Sequence, residues 1–428
     1  MRIILSVFCL LSIISLEVSA IPIALKPEKN VSVSNPKVDQ ADLSYKRGLK
    51  EMAADRLDAA EEAFKEAYNF YPTVYALLGQ AEIAFKQKDM DKARALIEKA
   101  LKEAPNDAHV QDSQARLLFI DQKFAESEAA LKKALEIDPT LVRTYIALGD
   151  LYMTVYKKPE QAIPAYSNAL VQDPANTGAR YALGVALGQS GKYKEAETEL
   201  KKVISQEKEN PLPTNELARL YADQKMYDQA LELWAGLLKQ FPEYIDAYNG
   251  RATAYLAKND PQSAIKEFSS ILKFAPKHAD AYMNLGMVYQ GMANWQEAET
   301  AYQQAIKIQP QLALAYNNLA WMSADRGEKL NEALAWAKKA VELVPTSIDF
   351  LDTLGWVYRA RKEYDLAIET YSSLTSKIES PTLFYHLGVT RMEKGDSAGA
   401  VEALNKALKL DGKFANAEEA RQLLSKIQ

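Results

Sequence analysis

Side chains able to do covalent or metal chemistry are scarce in this 428-residue chain, which holds three histidines and one cysteine. A structural zinc site needs about four N or S ligands on one centre, and His109, His278 and His386 are too widely separated to share one. Gly188, Gln189, Ser190, Gly191 and Lys192 trace part of a phosphate-binding loop. That loop requires a glycine five residues before Gly191 and a Ser or Thr after the lysine, where Tyr193 stands. Neither a G-x-S-x-G nucleophile elbow nor an H-E-x-x-H zinc helix occurs. Carboxylates are plentiful, but no pair is singled out as an acid and base. The expectation is a non-catalytic protein with no cofactor and no metal. Lys+Arg 52 against Asp+Glu 57 gives a net charge of −5 with no basic block, so nucleic acid is not an expected partner.

Amides, aromatics and small residues recur instead, and the elements that position them follow from their spacing. Pro72, Pro105, Pro139 and Pro174 are 33, 34 and 35 residues apart, and Pro242, Pro276, Pro310 and Pro345 continue the series. Twelve residues before each proline stands a small residue. Along the chain that column is Ala60, Ala93, Ser127, Ala162, Ala196, Ala230, Ala264, Ala298, Ala333, Ala367 and Ala400. A second column, Gly or Ala, runs through Gly48, Ala81, Ala115, Gly149, Gly184, Ala218, Ala252, Gly286, Ala320, Gly355 and Gly388. Leu often precedes it, and Tyr follows three residues later in Tyr152, Tyr221, Tyr255, Tyr289 and Tyr358. Four residues after the alanine column come Phe64, Tyr166, Trp234, Phe268, Tyr302 and Tyr371.

These columns resemble the tetratricopeptide repeat family, in eleven copies over 41–412. The resemblance implies an all-α, right-handed superhelical solenoid of helix-turn-helix units with a concave groove lined by each first helix. The two small columns are expected to meet where paired helices cross, because larger side chains would force them apart. The proline ends each second helix, lacking an N–H and clashing with the preceding turn. Asp260 and Pro261 predict a capped helix start, Lys158 and Pro159 a similar one, and Pro164 a local kink.

Both ends depart from the period. A basic Arg2, an apolar run over 3–16 and a Val-Ser-Ala end at Ala20 predict a secretory signal peptide, removed to leave Ile21 first. An uncleaved anchor is the alternative, although Glu17 ends the run short of the roughly 20 residues that span a bilayer. Cys9 is not a lipidation site, since Phe8 stands where such motifs need a small residue. Cleavage would leave no cysteine, which suits a periplasmic or secreted protein held by packing alone. Residues 21–40, with Pro22, Pro27 and Pro36, are expected to form a flexible tether. At the other end Phe414, Ala417, Ala420, Leu423, Leu424 and Ile427 form an apolar stripe, predicting a capping helix over 413–428.

The resemblance places partner-binding positions on the exposed face of the later first helices: Asn249; Asn284 and Met287; Asn317, Asn318 and Trp321; Asp352, Trp356 and Arg359; Tyr385 beside His386. Asn284 and Asn318 hold equivalent places, as in the asparagine ladder by which the repeat domain of O-GlcNAc transferases holds an extended peptide; Gly250 and Thr353 flank these two rungs. Met287, Trp321 and Trp356 share another position. They form either an apolar strip in the groove or, for the tryptophans, packing between repeats. The two-carboxylate clamp of some family members needs Lys, Arg and Asn on consecutive first helices, where the early repeats have Tyr45, Leu78 and Asp112.

The resulting expectation is a scaffold or adaptor of the cell envelope whose groove binds other proteins. The run from Leu351 to Tyr358 is similar to the last repeats of periplasmic family members tied to exopolysaccharide export. The rival is the substrate-recruiting subunit of a separately encoded glycosyltransferase.

Overall fold

The computed structural model describes residues 36–427, and among them there are twenty-three α-helices and no strand. The signal peptide and the first fifteen residues of the expected tether lie outside the described residues. The last five do not form a tether: α1 begins at Pro36. Proline's fixed φ and missing N–H suit the first turn of a helix, so α1 starts about one turn before the apolar pattern does.

Eleven helix pairs follow in order. The first six are α1 (Pro36–Ala53) with α2 (Leu57–Phe70), α3 (Val74–Lys86) with α4 (Met90–Glu103), α5 (Ala108–Ile120) with α6 (Phe124–Ile137), α7 (Val142–Thr154) with α8 (Pro159–Gln172), α9 (Thr177–Gln189) with α10 (Tyr193–Gln206), and α11 (Pro211–Asp223) with α12 (Tyr227–Gln240). Next come α13 (Ile245–Ala257) with α14 (Pro261–Phe274), α15 (Ala279–Gly291) with α16 (Trp295–Ile308), α17 (Ala313–Arg326) with α18 (Leu330–Leu343), α19 (Ile348–Ala360) with α20 (Tyr364–Thr375), and α21 (Pro381–Lys394) with α22 (Ser397–Leu410). A last helix, α23 (Ala417–Ile427), follows the pairs. The chain forms two compact units that divide within α11, the first ending at Leu220 and the second beginning at Tyr221.

One device ends many of the first helices. A residue with positive φ, such as Lys88, Gln122, Asn259 or Ala293, turns the chain. The next N–H then closes on a carbonyl five residues back, as Asp89 does on Ala84 and Asp260 on Tyr255. Gly191 fills this place after α9 with φ 79°, so the glycine-rich stretch around it is a turn. Second helices start on caps where the sequence provides one: Asp260 accepts from the Ser263 N–H at 3.0 Å. Lys158 provides no side-chain cap, and α8 runs unbroken through Pro164.

Within each unit successive helices pack on one another, and first helices also touch first helices: α1 with α3, α3 with α5, α17 with α19, and α19 with α21. At these places the first helices lie against one another on one side of the stack. All ten alanines of the alanine column are fully buried. Ser127, their eleventh member, is buried too and donates its hydroxyl to the Ala115 carbonyl at 2.7 Å. The crossing is close there, but the space beside a glycine is filled otherwise than expected. A Cβ on Gly286 would meet the Tyr302 ring at 2.5 Å, one on Gly149 the Tyr166 ring, and one on Gly355 the Tyr371 ring. The ring four residues after the alanine, not the alanine itself, occupies the glycine's side.

Candidate partner-binding face

The 3.6-residue period aligns three rows on one face of the first helices in the second unit. In the first turn stand Asp246, Asp280, Leu314 and Asp349 on α13, α15, α17 and α19. One turn on come Asn249, Asn284, the pair Asn317 and Asn318, and Asp352. The third row is Thr253, Met287, Trp321 and Trp356.

Residues one repeat apart touch along these rows. Trp321 and Trp356 stack with centroids 5.5 Å apart and planes 16° from parallel. His386 Nδ1 lies 2.6 Å from Asp352 Oδ1. Arg359 donates two bonds to Glu393, at 2.6 and 3.1 Å. The first unit does the same with charge: Arg116 donates to Glu82 at 2.6 Å. Stacking the first helices thus turns a sequence spacing of about one repeat into a side-chain contact.

Several predicted site residues are brought together, though not all are open to a partner. Trp356 is 8% exposed, lying against Trp321 on one side and His386, 4.5 Å away, on the other. The Arg359 guanidinium covers its ring at 4.0 Å, and its Nε1 is buried without a hydrogen-bond partner. Of the two readings of this tryptophan, packing between repeats is the one realised. Trp321 and Met287 are half-buried and keep part of their surface. Tyr385 is 3% exposed and packs on Phe414 beneath the last helix. It does not line the groove, because the capping segment covers that end of α21. His386, 4% exposed, is likewise interior.

The amides differ among themselves. Asn284 has no side-chain partner among the described residues and is half-buried. Asn318 donates to the Tyr302 hydroxyl at 3.3 Å, and that hydroxyl donates to Gln290 at 2.7 Å. Asn317 reaches Asn318 at a long 3.5 Å, while its Oδ1 and that of Asn249 are buried without partners. The tie on Asn318 has a geometric cause: its position faces the second helix of the preceding pair, as Gly79 faces Phe64. The expected two-rung ladder therefore has one free rung, Asn284, and one rung that also joins repeats. This junction was missed because the period relates Asn318 to Asn284, not to Tyr302.

Burial raises the Tyr302 hydroxyl above its ordinary range, and burial with the nearby Asp352 raises Tyr371. Both remain protonated donors at neutral pH. In the first unit Tyr45 and Leu78 are core residues, while Asp112 accepts from Thr144 at 2.8 Å; no clamp is formed there. His278 caps α15, its Nδ1 accepting from the Ala281 N–H at 3.1 Å. Among the described residues no group of three or more His, Cys, Asp or Glu could hold a metal ion, and no helix is long and apolar enough to cross a membrane.

Family models described as tetratricopeptide repeat match residues 40–108, 156–220, 189–254, 221–277, 277–346 and 381–414. The chain is 26% identical over 184 residues to mouse tetratricopeptide repeat protein 21B, covering 42% of this chain and 14% of that protein. It is 25% identical over 201 residues to the human protein of that name, covering 46% and 15%. The match thus spans about a seventh of those relatives. Among solved structures, the Cut9–Hcn1 hetero-tetramer of APC/C gives a TM-score of 0.45 at 13% identity, over 91% of this chain and 96% of that chain. Yeast Tom70 gives 0.42 at 16% identity over the same shares. A tetratricopeptide repeat protein from Parabacteroides merdae gives 0.45 at 18% identity, over 59% and 98%.

Proposed function

Because this chain belongs to the tetratricopeptide repeat family, whose solenoids are interaction scaffolds, we propose that it holds an extended protein segment on the first-helix face of its second unit. The observation that carries this reading is the Asn284 amide, free of any partner among the described residues, beside the half-buried Met287 and one repeat from the half-buried Trp321. An amide donates and accepts, so it pairs with a backbone N–H and C=O whatever the sequence, each bond contributing roughly 0.5–1.5 kcal/mol net. Met287 and Trp321 supply apolar contact that amides lack.

The scaffold acts, on this proposal, in the cell envelope after loss of residues 1–20, within an export assembly such as one for exopolysaccharide. N-terminal sequencing of protein from its native host should begin at Ile21. The second reading, a recruiting subunit for a separate glycosyltransferase, draws on the equivalence of Asn284 and Asn318 and requires transferase activity in the purified complex.

The test of the binding face is site-specific photo-crosslinking in living cells. A photoreactive residue at Thr253 or Met287 should capture a partner chain, whereas one at the exposed Ala335 on α18 should not. Equal capture from both sides would remove the groove from the function.

A further inference from the structure

The unpaired charge on the face is of one sign. On α13, α15, α17 and α19 every cation is tied within the chain: Arg251 to Glu267, Arg326 to Glu328, and Arg359 to Glu393. The remaining acids Asp246, Asp280, Asp325 and Asp349 are exposed and make no ion pair among the described residues. Three of them form the first-turn row, interrupted only by Leu314, which is 44% exposed. Two acceptors one turn away, Asn249 Oδ1 and Asn317 Oδ1, are buried without a donor. The exposed acids without cations favour a positively charged occupant, while the two buried amide oxygens are closed to one as the face stands.

Building on the binding face proposed above, we infer that the occupant is a basic extended protein segment with its cations at regular spacing. Packed helices such as α17 and α19 lie roughly 8–10 Å apart; we take that as the step along the whole row, and an extended chain advances about 3.3 Å per residue. One step from row member to row member therefore takes about three residues. The row Asp246, Asp280, Leu314 and Asp349 then reads Lys or Arg, two spacers, Lys or Arg, two spacers, an apolar residue, two spacers, and Lys or Arg. The half-buried Trp321 ring, on the same stripe of α17 as Leu314, can also accept the face of an arginine.

The experiment uses the full chain and three fluorescent ten-residue peptides in a Ser background: one with Lys at those three places and Leu at the fourth, one with Glu for each Lys, and one with Gln. The Lys peptide should bind, weaken steeply as salt rises, and lose about two- to thirtyfold affinity in Asp280→Asn with Asp349→Asn. That range is two exposed ion pairs at about 0.2–1 kcal/mol each. Both aspartates lie on helix surfaces, so circular dichroism should be unchanged. Equal binding of the Glu peptide, indifference of the Lys peptide to the double substitution, or concentration-dependent self-association without peptide binding would overturn the inference. If the Gln and Lys peptides bind alike and both weaken in Asn284→Ala, the charge inference falls while the amide-based binding face stands. If no peptide binds and the photo-crosslinks at Thr253 and Met287 fail as well, both fall.

Discussion

Replacing Gly286 by alanine tests the packing rule on which the repeat rests. The added methyl would sit 2.5 Å from two atoms of the Tyr302 ring and 3.0 Å from a third. That ring is fully buried and anchored by its hydroxyl to Gln290 and Asn318, so it cannot swing away without losing both bonds. Overpacking of this kind costs about 1–3 kcal/mol. A helix-interior Gly→Ala change returns about 1 kcal/mol through propensity, leaving a net destabilisation of about 0–2 kcal/mol. The cycle with Tyr302→Leu separates the two terms. Leu in that place opposite Ala already occurs in the pair Ala115 and Leu131. A Cβ on Gly184 or Gly388 would come within 2.9 and 2.7 Å of Leu200 and Leu404, so the leucine, which no hydroxyl bond anchors, must shift slightly to admit the methyl in the double variant. Gly286→Ala should then stabilise by about 1 kcal/mol in the Tyr302→Leu background, giving a coupling of about 1–3 kcal/mol. Urea melts followed by circular dichroism measure all four proteins. If Gly286→Ala raises the midpoint equally in both backgrounds, the ring does not fill that space and the assigned contact is wrong.

Two further outcomes follow from single contacts. Asn318→Ala removes the donor to Tyr302 and should lower stability by roughly 0.5–1.5 kcal/mol, whereas Asn284→Ala should leave the urea midpoint unchanged; equal effects would show that the two amides are equivalent after all. Asp150 is held above the ordinary carboxylate range by burial, with the Tyr166 hydroxyl bond opposing that shift. A carboxyl raised on folding gives its stability below the unfolded pKa of about 3.9 and loses it as pH rises through the folded value. Asp150→Asn should therefore be at least as stable as the native chain at pH 7, with the difference moving toward the native chain as pH falls through the raised folded value and levelling off below about 3.9. A native chain more stable at pH 7 by a margin constant with pH would refute that assignment.

The 34-residue period was sufficient to predict the helix pairs and the buried alanine column, while the last helix is read from its own apolar stripe at helical spacing. The period identifies equivalent positions but not which positions meet. That Gly286 faces Tyr302 rather than Ala298 depends on ring volume and helix approach, which no column displays. End effects also lie outside a periodic signal. Tyr385 has the pattern of a groove residue, yet α21 has no following repeat, and Phe414 with α23 covers it instead. Trp356 is hidden for a local reason, since Arg359 one turn on in α19 and His386 in the next repeat are large enough to close over it. The start at Pro36 was missed because residues 36–40 carry almost no apolar signal while still suiting a helical first turn.

The contrast between the two units bears on where a partner can be held. In the first unit one row carries Glu82 and Arg116, joined at 2.6 Å, with the guanidinium also lying 4.1 Å from the Phe85 ring. A ligand approaching there must compete with a partly buried ion pair, and separating such a pair leaves charges poorly solvated. In the second unit the same row carries Met287 and Trp321, and the neighbouring row carries Asn284, none of which surrenders an internal charge pair on binding. The equivalent places of one repeat thus serve two ends. Where their side chains complement one another at a one-repeat separation, as Glu82 with Arg116 or Asp352 with His386, they join helices. Where they do not, as at Asn284 and in the aspartate row, the bonding capacity stays open to another chain.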